Sequence, residues 1–217
     1  MNDLTIIFLT VNKVPKRWTV YHRETLLGAI GTTPVINISK HPSKWGLNLI
    51  QEDEPSVPNI YRQVLRGARI ATTPYIAIVE DDTLYPKEHF EFRPPLDTYA
   101  YDMSRWGLFT WGVPTYYHKA RISNAAMIAP RKLAIESLEE RFRKYPDKNI
   151  GELGKEKGTK LDRKKSMNFY STTPMVFFSH VNSLDPLEKS KRKRMGMARA
   201  FDIPHWGKSE DLVKNFA

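Results

Sequence analysis

The amino-acid sequence predicts an α/β fold, a single domain in which helices flank a mostly parallel central sheet. Three observations lead to this class. Strand-like and helix-like segments alternate over the first 82 residues, the first strand-like segment is apolar almost throughout, and the third ends abruptly in three carboxylates. Such alternation predicts βαβ units, and nearly continuous apolar strands are typical of a parallel sheet that is covered on both faces.

The first half of the chain justifies this class element by element. Residues 4–11 form an apolar, β-branched run that predicts a central strand. The pattern then predicts a helix over 18–30, a strand over 35–38, a loop-rich segment over 41–58, a helix over 59–70 and a strand over 75–79. In the second of these helices Ile60, Val64 and Ala68 share one face, which indicates an amphipathic helix lying on a core.

The tripeptide Thr-Thr-Pro occurs at 32–34, 72–74 and 172–174, each time just before an apolar run. Proline is tolerated at the first position of a strand, so the tripeptide predicts three strand entries. The unequal spacings exclude a repeat architecture. The third copy predicts a strand over 175–178.

The second half is predicted in less regular pieces. The pattern indicates strands over 106–111 and 124–129, a helix over 130–144 with proline in its first turn, a short helix or loop over 147–158, and a basic linker over 160–165. A basic C-terminal region follows the strand over 175–178, with its densest run over 189–194, and the tail over 203–207 is expected to be irregular.

The composition excludes several classes of protein. Of 217 residues, 41% are hydrophobic and 12% aromatic, which suffices for one core. No apolar run approaches the roughly 18 residues of a membrane span, and the chain enters its first strand without the basic region of a signal peptide. The absence of cysteine excludes disulfides and thiolate metal sites. We expect a cytoplasmic location, in the host cytoplasm if the protein is viral.

The net charge is +10 and the isoelectric point is about 9.6. An excess of this size favours an anionic partner, namely nucleic acid, nucleotide phosphates or an acidic membrane surface. The alternative is that the basic surface only aids solubility.

Three adjacent carboxylates, Glu80-Asp81-Asp82, follow the strand predicted over 75–79. Ligands of open α/β sheets bind beyond the carboxyl ends of the strands, so Thr10–Asn12 and this triplet are expected at one edge. Neither GxGxxG nor GxxxxGK[ST] occurs, so a nucleotide diphosphate would need another anchor, such as a cation held by a carboxylate. The alternative is a solvated acidic turn.

Together these segments resemble GT-A glycosyltransferases of the family 2 type. The resemblance rests on the strand ending Thr10-Val11-Asn12, the helix beginning Asn59-Ile60-Tyr61-Arg62-Gln63, and Tyr75–Pro86 with its Glu-Asp-Asp variant of the DxD motif. It implies a nucleotide-sugar donor, most simply a UDP-sugar, and Mn²⁺ or Mg²⁺. It also implies that Asp82 binds the metal, that Asp81 approaches the donor ribose, and that Thr10, Asn12, Asn59 and Gln63 line the donor site.

The same resemblance divides the chain 1–217, a single GT-A-like domain, into a nucleotide-sugar half (1–90), an acceptor half (91–184) and a basic C-terminal loop and tail (185–217). It implies His180 as a second metal ligand, Asn124 as an acceptor-side residue, and Glu152, with Asp147 as runner-up, as the general base of an inverting enzyme. A retaining enzyme would need no such base. Lys189 and Arg192 are implied to close over the diphosphate. Each of these assignments has an alternative. His180 would be a structural histidine, Asn124 part of an ordinary core strand, and Glu152 a solvated carboxylate. Lys189 and Arg192 would belong to a solvated basic run.

The acceptor is predicted from charge and aromatic residues. The basic segments 160–165 and 189–194 are suited to a nucleic-acid backbone, and Trp106, Trp111, Tyr116 and Tyr117 to stacking an extruded base or a sugar ring. Small phage-type GT-A enzymes that modify hydroxymethylated pyrimidines in DNA are similar. The sharper hypothesis is therefore a metal-dependent hexosyl- or pentosyltransferase that acts on a hydroxymethylated DNA base.

Two other functions stay open. One is a glycosyltransferase for surface polysaccharide or a lipid-linked glycan, whose basic loops would meet an anionic membrane. The other is a non-catalytic nucleic-acid-binding protein on a GT-A-like scaffold, which predicts neither metal dependence nor donor binding.

Overall fold

The computed structural model describes residues 3–119, 121–156, 164–183 and 198–216. Its α-helices are α1 (Lys16–Ile30), α2 (Val57–Ile70), α3 (Arg131–Lys144) and α4 (Ser209–Phe216). Its strands are β1 (Leu4–Thr10), β2 (Val35–Ser39), β3 (Leu47–Ile50), β4 (Tyr75–Glu80), β5 (Thr83–Leu84), β6 (Thr98–Asp102), β7 (Arg105–Phe109), β8 (Tyr116–His118), β9 (Met127–Pro130), β10 (Lys165–Phe169), β11 (Met175–Ser179), β12 (Arg199–Ala200), β13 (Asp202–Ile203) and β14 (Gly207–Lys208). Short 3-10 helices span Lys87–Glu91 and Asn124–Ala126. Within these ranges, each helix is too short or too polar to cross a membrane.

Seven strands form the central sheet in the order β10-β6-β9-β4-β1-β2-β3. Strand β1 is parallel to β2 and β4, β2 is parallel to β3, and β6 is parallel to β10. Strand β9 is antiparallel to both of its neighbours, β4 and β6. The predicted α/β class with a mostly parallel central sheet is confirmed.

Helices cover both faces of this sheet because its strands are apolar on both. Ile7 and Ile78 pack with Val64 of α2 and Leu138 of α3 on one face. On the other face, Phe8 and Val79 of the same strands pack with Leu26 of α1. Successive side chains of a strand point to opposite faces, so each apolar strand contributes to two cores. The carboxyl ends of β1, β2 and β4 therefore meet at one edge, between two helical layers.

A second, smaller sheet has the order β12-β8-β7-β11-β5. Strand β11 is parallel to β7 and antiparallel to the two-residue strand β5, which follows the acidic triplet. Its apolar face packs on α4 and on Trp18 of α1. This sheet thereby joins the end of β4 to a part of the chain about a hundred residues later.

The three Thr-Thr-Pro tripeptides do precede strands. Strands β2, β4 and β11 each begin at the residue that follows the proline. The predicted helices over 18–30, 59–70 and 130–144 correspond to α1, α2 and α3 within two residues. The predicted strand over 106–111 corresponds to β7.

Several sequence predictions need correction. The segment 41–58 contains β3, 124–129 begins as a 3-10 helix before β9, and the tail over 203–207 contributes to a β13–β14 hairpin that leads into α4. Lys165, assigned to a linker, begins β10, whereas 160–163 lie outside the described residues. Segment 147–156 is a loop, which agrees with one of the two predicted alternatives for this region. Strands β3 and β10 are edge strands with several exposed residues, so they lack the apolar pattern that identifies a buried strand.

Candidate functional site

A cleft of about 410 Å³ opens at the carboxyl edge of the central sheet. It lies on the α2 face, between the ends of β1 and β4, the segment that leads into α2, and the turn after β11. Six of the residues predicted to form the site line it: Thr10, Asn59, Gln63, Asp81, Asp82 and His180. Such a volume is typical of a small-molecule site.

Thr10 and Asp81 meet because β1 and β4 are parallel neighbours, with Leu9 opposite Glu80. The Thr10 hydroxyl donates a short hydrogen bond to the Asp81 carboxylate. The same hydroxyl accepts the backbone N–H of Asn12 at 2.8 Å. The indole of Trp18 donates to the Asp81 carbonyl at 2.7 Å. The end of β4 is therefore held by a neighbouring strand and by α1.

Asp82 and His180 meet because β5 pairs with β11. The backbone N–H of Phe178 donates to the Asp82 carbonyl at 2.8 Å, which aligns the two segments. The His180 Nε2 atom lies 3.5 Å from Asp82 Oδ2, with side-chain exposures of 7% and 20%. Both groups are nearly enclosed yet face the cleft.

The acidic triplet is electrostatically strained. Burial, followed by the charge of Asp82, raises the pKa of Asp81 to about 7, although the bond from Thr10 and the nearby His180 act in the opposite direction. Burial and the two neighbouring aspartates also raise the pKa of Glu80, against the influence of Arg105. A positive ion would relieve this repulsion.

The described residues contain no group of three His, Asp or Glu side chains arranged to hold a metal ion. Asp82 and His180 form a pair, with one carboxylate oxygen and one imidazole nitrogen close enough to contact the same cation. Mg²⁺ is commonly held by one or two carboxylates together with substrate phosphates, and imidazole is a ligand for several divalent metals. The donor set therefore fits a cation that is shared with a bound diphosphate.

A row of buried amides forms another wall of the cleft. Gln63 donates to Asn59 at 2.9 Å, and Asn59 donates to Gln51 at 3.1 Å. Each of these three side chains is less than 10% exposed. The Gln63 Oε1 atom has no hydrogen-bond partner among the described residues. Because this atom is buried, a ligand can donate to it only after the Gln63 side chain turns toward the cleft.

The loop that carries Glu152 reaches the same edge of the sheet. Strand β9 runs antiparallel to β4 and brings Asn124 to the end of β4. The Tyr61 hydroxyl contacts Asn124 Oδ1 at 2.6 Å and the Gly151 carbonyl at 3.3 Å. Burial raises the pKa of Tyr61 to about 12, and the charge of Glu152 contributes in the same direction. Glu152 itself is partly exposed and is not among the residues that line the cleft.

Two other predicted site residues, Asp147 and Asn12, lie outside the cleft. Asp147 is 83% exposed and pairs with Arg62 at 2.6 Å, outside the cleft. Asn12 adopts a left-handed backbone conformation (φ 56°), and its side chain accepts the His41 N–H at 3.0 Å instead of lining the cleft. Lys189 and Arg192 lie outside the described residues.

The aromatic residues predicted to bind the acceptor are not grouped together. Tyr116 is fully buried in the core of the second sheet and donates to the Gly207 carbonyl at 3.0 Å. Trp106 packs against that core. Trp111 is partly exposed and follows Thr110, whose N–H donates to the Ser179 carbonyl, one residue before His180. Through this bond the segment that contains Trp111 is joined to the segment that contains His180.

Sequence reasoning missed residues that support the site from behind. Trp18 fixes the Asp81 backbone, Gln51 extends the amide wall, and Arg105 lies buried near Glu80. A signal existed for Arg105, which directly precedes the strand predicted over 106–111, since a buried arginine requires a partner. Gln51 lies in the segment taken for a loop and carried no such signal.

The sequence matches no protein-family model and no curated protein. Solved structures of similar shape include a glycosyltransferase involved in glycosylation of the major capsid of PBCV-1, with 10% identity, a TM-score of 0.49, and coverage of 88% of this chain and 97% of that one. HddC from Yersinia pseudotuberculosis has 10% identity, a TM-score of 0.47, and coverage of 82% and 93%. A nucleotidyl transferase from Methanothermobacter thermautotroptrophicus has 13% identity, a TM-score of 0.40, and coverage of 64% and 76%. Structural similarity with TM-scores below 0.5 does not support a conclusion about function. The function is therefore inferred from the residues of the site.

Proposed function

We propose that the protein is a metal-dependent glycosyltransferase that uses a nucleotide-sugar donor. The observation that carries the proposal is the Asp82–His180 pair in the lining of the cleft, where β5 and β11 bring together residues that are about a hundred positions apart in the chain. In this assignment the pair holds Mn²⁺ or Mg²⁺. The cation supplies charge stabilisation to the departing nucleoside diphosphate.

The chain's own groups account for donor binding. The Asp81 carboxylate, oriented by Thr10, accepts a hydrogen bond from a ribose hydroxyl at the end of β4. The amide wall offers Gln63 Oε1, which lacks a partner among the described residues, to an N–H group of the nucleotide base. The cleft at the ends of parallel strands is where ligands of such sheets bind.

Glu152 is the proposed general base, and it removes the proton from the acceptor hydroxyl. Two observations support it over Asp147. Its loop is tied to the end of β4 through Gly151, Tyr61 and Asn124, whereas Asp147 is neutralised by Arg62 at the surface. On this assignment the enzyme inverts the configuration of the sugar.

The donor experiment measures UDP release from a panel of UDP-sugars with Mn²⁺, and Mn²⁺ binding by electron paramagnetic resonance in the presence of UDP. Asp82→Asn is expected to lower both hydrolysis and Mn²⁺ affinity by about 100-fold or more, since even outer partners of a metal site are worth 10–100-fold. Asp97→Asn is the matched control, because Asp97 is an exposed carboxylate at the opposite end of the sheet, just before β6. The proposal would be rejected if UDP release and Mn²⁺ affinity fell equally in both variants, or if the wild type bound no UDP-sugar.

The base is tested by Glu152→Gln beside Asp147→Asn in an assay of sugar transfer. We expect Glu152→Gln to lower kcat with little change in the donor KM, because a general base acts on the acceptor. Asp147→Asn is expected to leave both constants unchanged. The reverse pattern would transfer the role to Asp147, and normal kcat in both variants would indicate a mechanism without a base.

We propose hydroxymethylated DNA as the acceptor, on the support of the net charge of +10 and of the partly exposed Trp111, which follows the residue that is hydrogen-bonded to Ser179, next to His180. Nucleosides from such DNA, after incubation with the enzyme and the donor panel, should gain the mass of one hexose or pentose. If sugar were transferred to a lipid-linked or polysaccharide acceptor and the nucleosides gained no mass, DNA would be rejected as the acceptor. DNA binding without donor binding would favour the non-catalytic alternative.

A further inference from the structure

A second cavity, of about 440 Å³, lies on the α1 side of the central sheet. It is distinct from the cleft because neighbouring side chains on a strand point to opposite faces. Leu9 and Ile38 line the cleft, whereas Phe8 and Asn37, which are partners in the β1–β2 register, line the second cavity. The two spaces share three lining residues, Thr10, Val14 and Asp81.

The floor of the second cavity contains an unsatisfied polar atom. Asn37 is 2% exposed, and its Nδ2 donates to the Trp45 carbonyl at 3.2 Å. Its Oδ1 has no hydrogen-bond partner among the described residues. A buried amide oxygen that stays unpaired destabilises a protein, and a turn of the Asn37 side chain toward the cavity would allow an occupant to supply the missing donor.

The walls of this cavity are aromatic. Trp45 and Phe8 meet edge to face, with their ring centroids 4.8 Å apart. His22, also in the lining, is neutral near pH 7 because burial lowers its pKa to about 4. These side chains can enclose a planar or puckered ring while Asn37 accepts from one of its N–H or O–H groups.

The α1 wall supplies positive charge. Lys16 and Arg23 are both exposed and lie two turns apart on the face of α1 that borders the cavity. The Arg23 guanidinium carbon lies 5.6 Å from the Trp45 ring centroid. Neither cation forms an ion pair with any other residue that the structure describes. Two free cations beside an aromatic wall suit a group with two negative charges.

We propose that this cavity binds a phosphorylated ring compound. The phosphate monoester, which carries close to two negative charges at neutral pH, contacts Lys16 and Arg23. The ring lies against Trp45, and one of its N–H or O–H groups donates to Asn37. Asp81 and Thr10 line both spaces.

The proposal for the second cavity does not require the protein to be a glycosyltransferase, because it is tested by ligand binding alone. Isothermal titration calorimetry without divalent metal would use uridine 5′-monophosphate and glucose 1-phosphate, with uridine and glucose as controls. We expect at least one phosphorylated probe to bind with a dissociation constant below about 1 mM, and the unphosphorylated controls to bind at least about tenfold more weakly. No heat from either phosphorylated probe overturns the proposal.

Variants then locate the binding. Arg23→Gln and Lys16→Gln change exposed side chains and should weaken it by about fivefold or more, while Asn37→Leu removes the buried acceptor and should weaken it by about tenfold. Gln63→Leu alters only the cleft and should leave the binding of glucose 1-phosphate unchanged; it is not tested with uridine 5′-monophosphate, whose base can also bind at Gln63 in the cleft. Binding that is lost in Gln63→Leu but retained in Arg23→Gln would place the probe in the cleft and refute the second site.

Discussion

The buried ion pair between Arg141 and Glu156 gives the sharpest stability prediction. Both side chains are 3% exposed, and Arg141 Nη2 lies 3.2 Å from Glu156 Oε1. The guanidinium carbon also lies 4.4 Å from the ring centroid of Tyr61. The pair thus fixes the far end of the loop that carries Glu152.

The perturbation is Arg141→Met, which leaves Glu156 as a buried charge without a partner. Removing one member of a buried pair costs about 3–5 kcal/mol, a large part of the 5–15 kcal/mol that holds a typical domain together. Arg141 Nε and Glu156 Oε2 already lack hydrogen-bond partners among the described residues, so the intact pair is imperfectly satisfied. The double variant Arg141→Met/Glu156→Met should therefore be close to wild type in stability.

Urea unfolding at pH 7, followed by circular dichroism, measures these free energies of unfolding. Arg69→Met is the control, because the Arg69–Glu139 pair has a similar separation of 2.8 Å but exposures of 57% and 48%. An exposed pair contributes less than about 1 kcal/mol. Two results would show that burial does not make this ion pair special. One is a loss of unfolding free energy in Arg141→Met that is no larger than in Arg69→Met. The other is a double variant that is less stable than Arg141→Met.

Two further predictions concern pH and packing. Burial lowers the pKa of His22 from its ordinary value of 6.5 to about 4, so the unfolded chain binds more protons between these values, and stability should fall by about 3 kcal/mol as the pH drops from 6.5 to 4. Urea unfolding across this range should show that the free energy of unfolding depends less steeply on pH in His22→Gln than in the wild type. The same pH dependence in both proteins would contradict the lowered pKa of His22. In Gly107→Ala the new Cβ would lie 2.1 Å from Tyr117 Cζ, so a loss of about 1–3 kcal/mol is expected by thermal unfolding. Gly28→Ala meets nothing within 4 Å in α1 and should be neutral or stabilising by up to about 1 kcal/mol.

The elements that the sequence predicted are those whose signal is local. The strands after Thr-Thr-Pro could be predicted because each combines a proline entry with a mainly apolar run. Strands β3 and β10 could not, because an edge strand needs only one neighbour and tolerates exposed polar residues. The hairpin and helix α4 are stabilised by packing on Trp18 and the second sheet, which is information that no local window contains.

The candidate site divides in the same way. The meeting of Thr10 with Asp81 follows from the parallel-strand rule, since both residues end strands at one edge. The contact of Asp82 with His180 depends on a two-residue strand that no periodicity reveals, and only the family resemblance suggested it. Tyr116 was assigned to the acceptor because aromatic runs suit stacking, but its alternate position on β8 directs it into the core.

The pairing of β5 with β11 has a consequence for how the protein folds. Asp82 and His180 come together only when the chain has closed a loop of about a hundred residues, a step that carries a large entropic cost and belongs late in folding. A compact intermediate with an intact β1–β4 core but an unformed second sheet would therefore lack this pair. Formation of the pair would then report completion of the whole fold, and a ligand that requires both residues would stabilise only the fully folded chain.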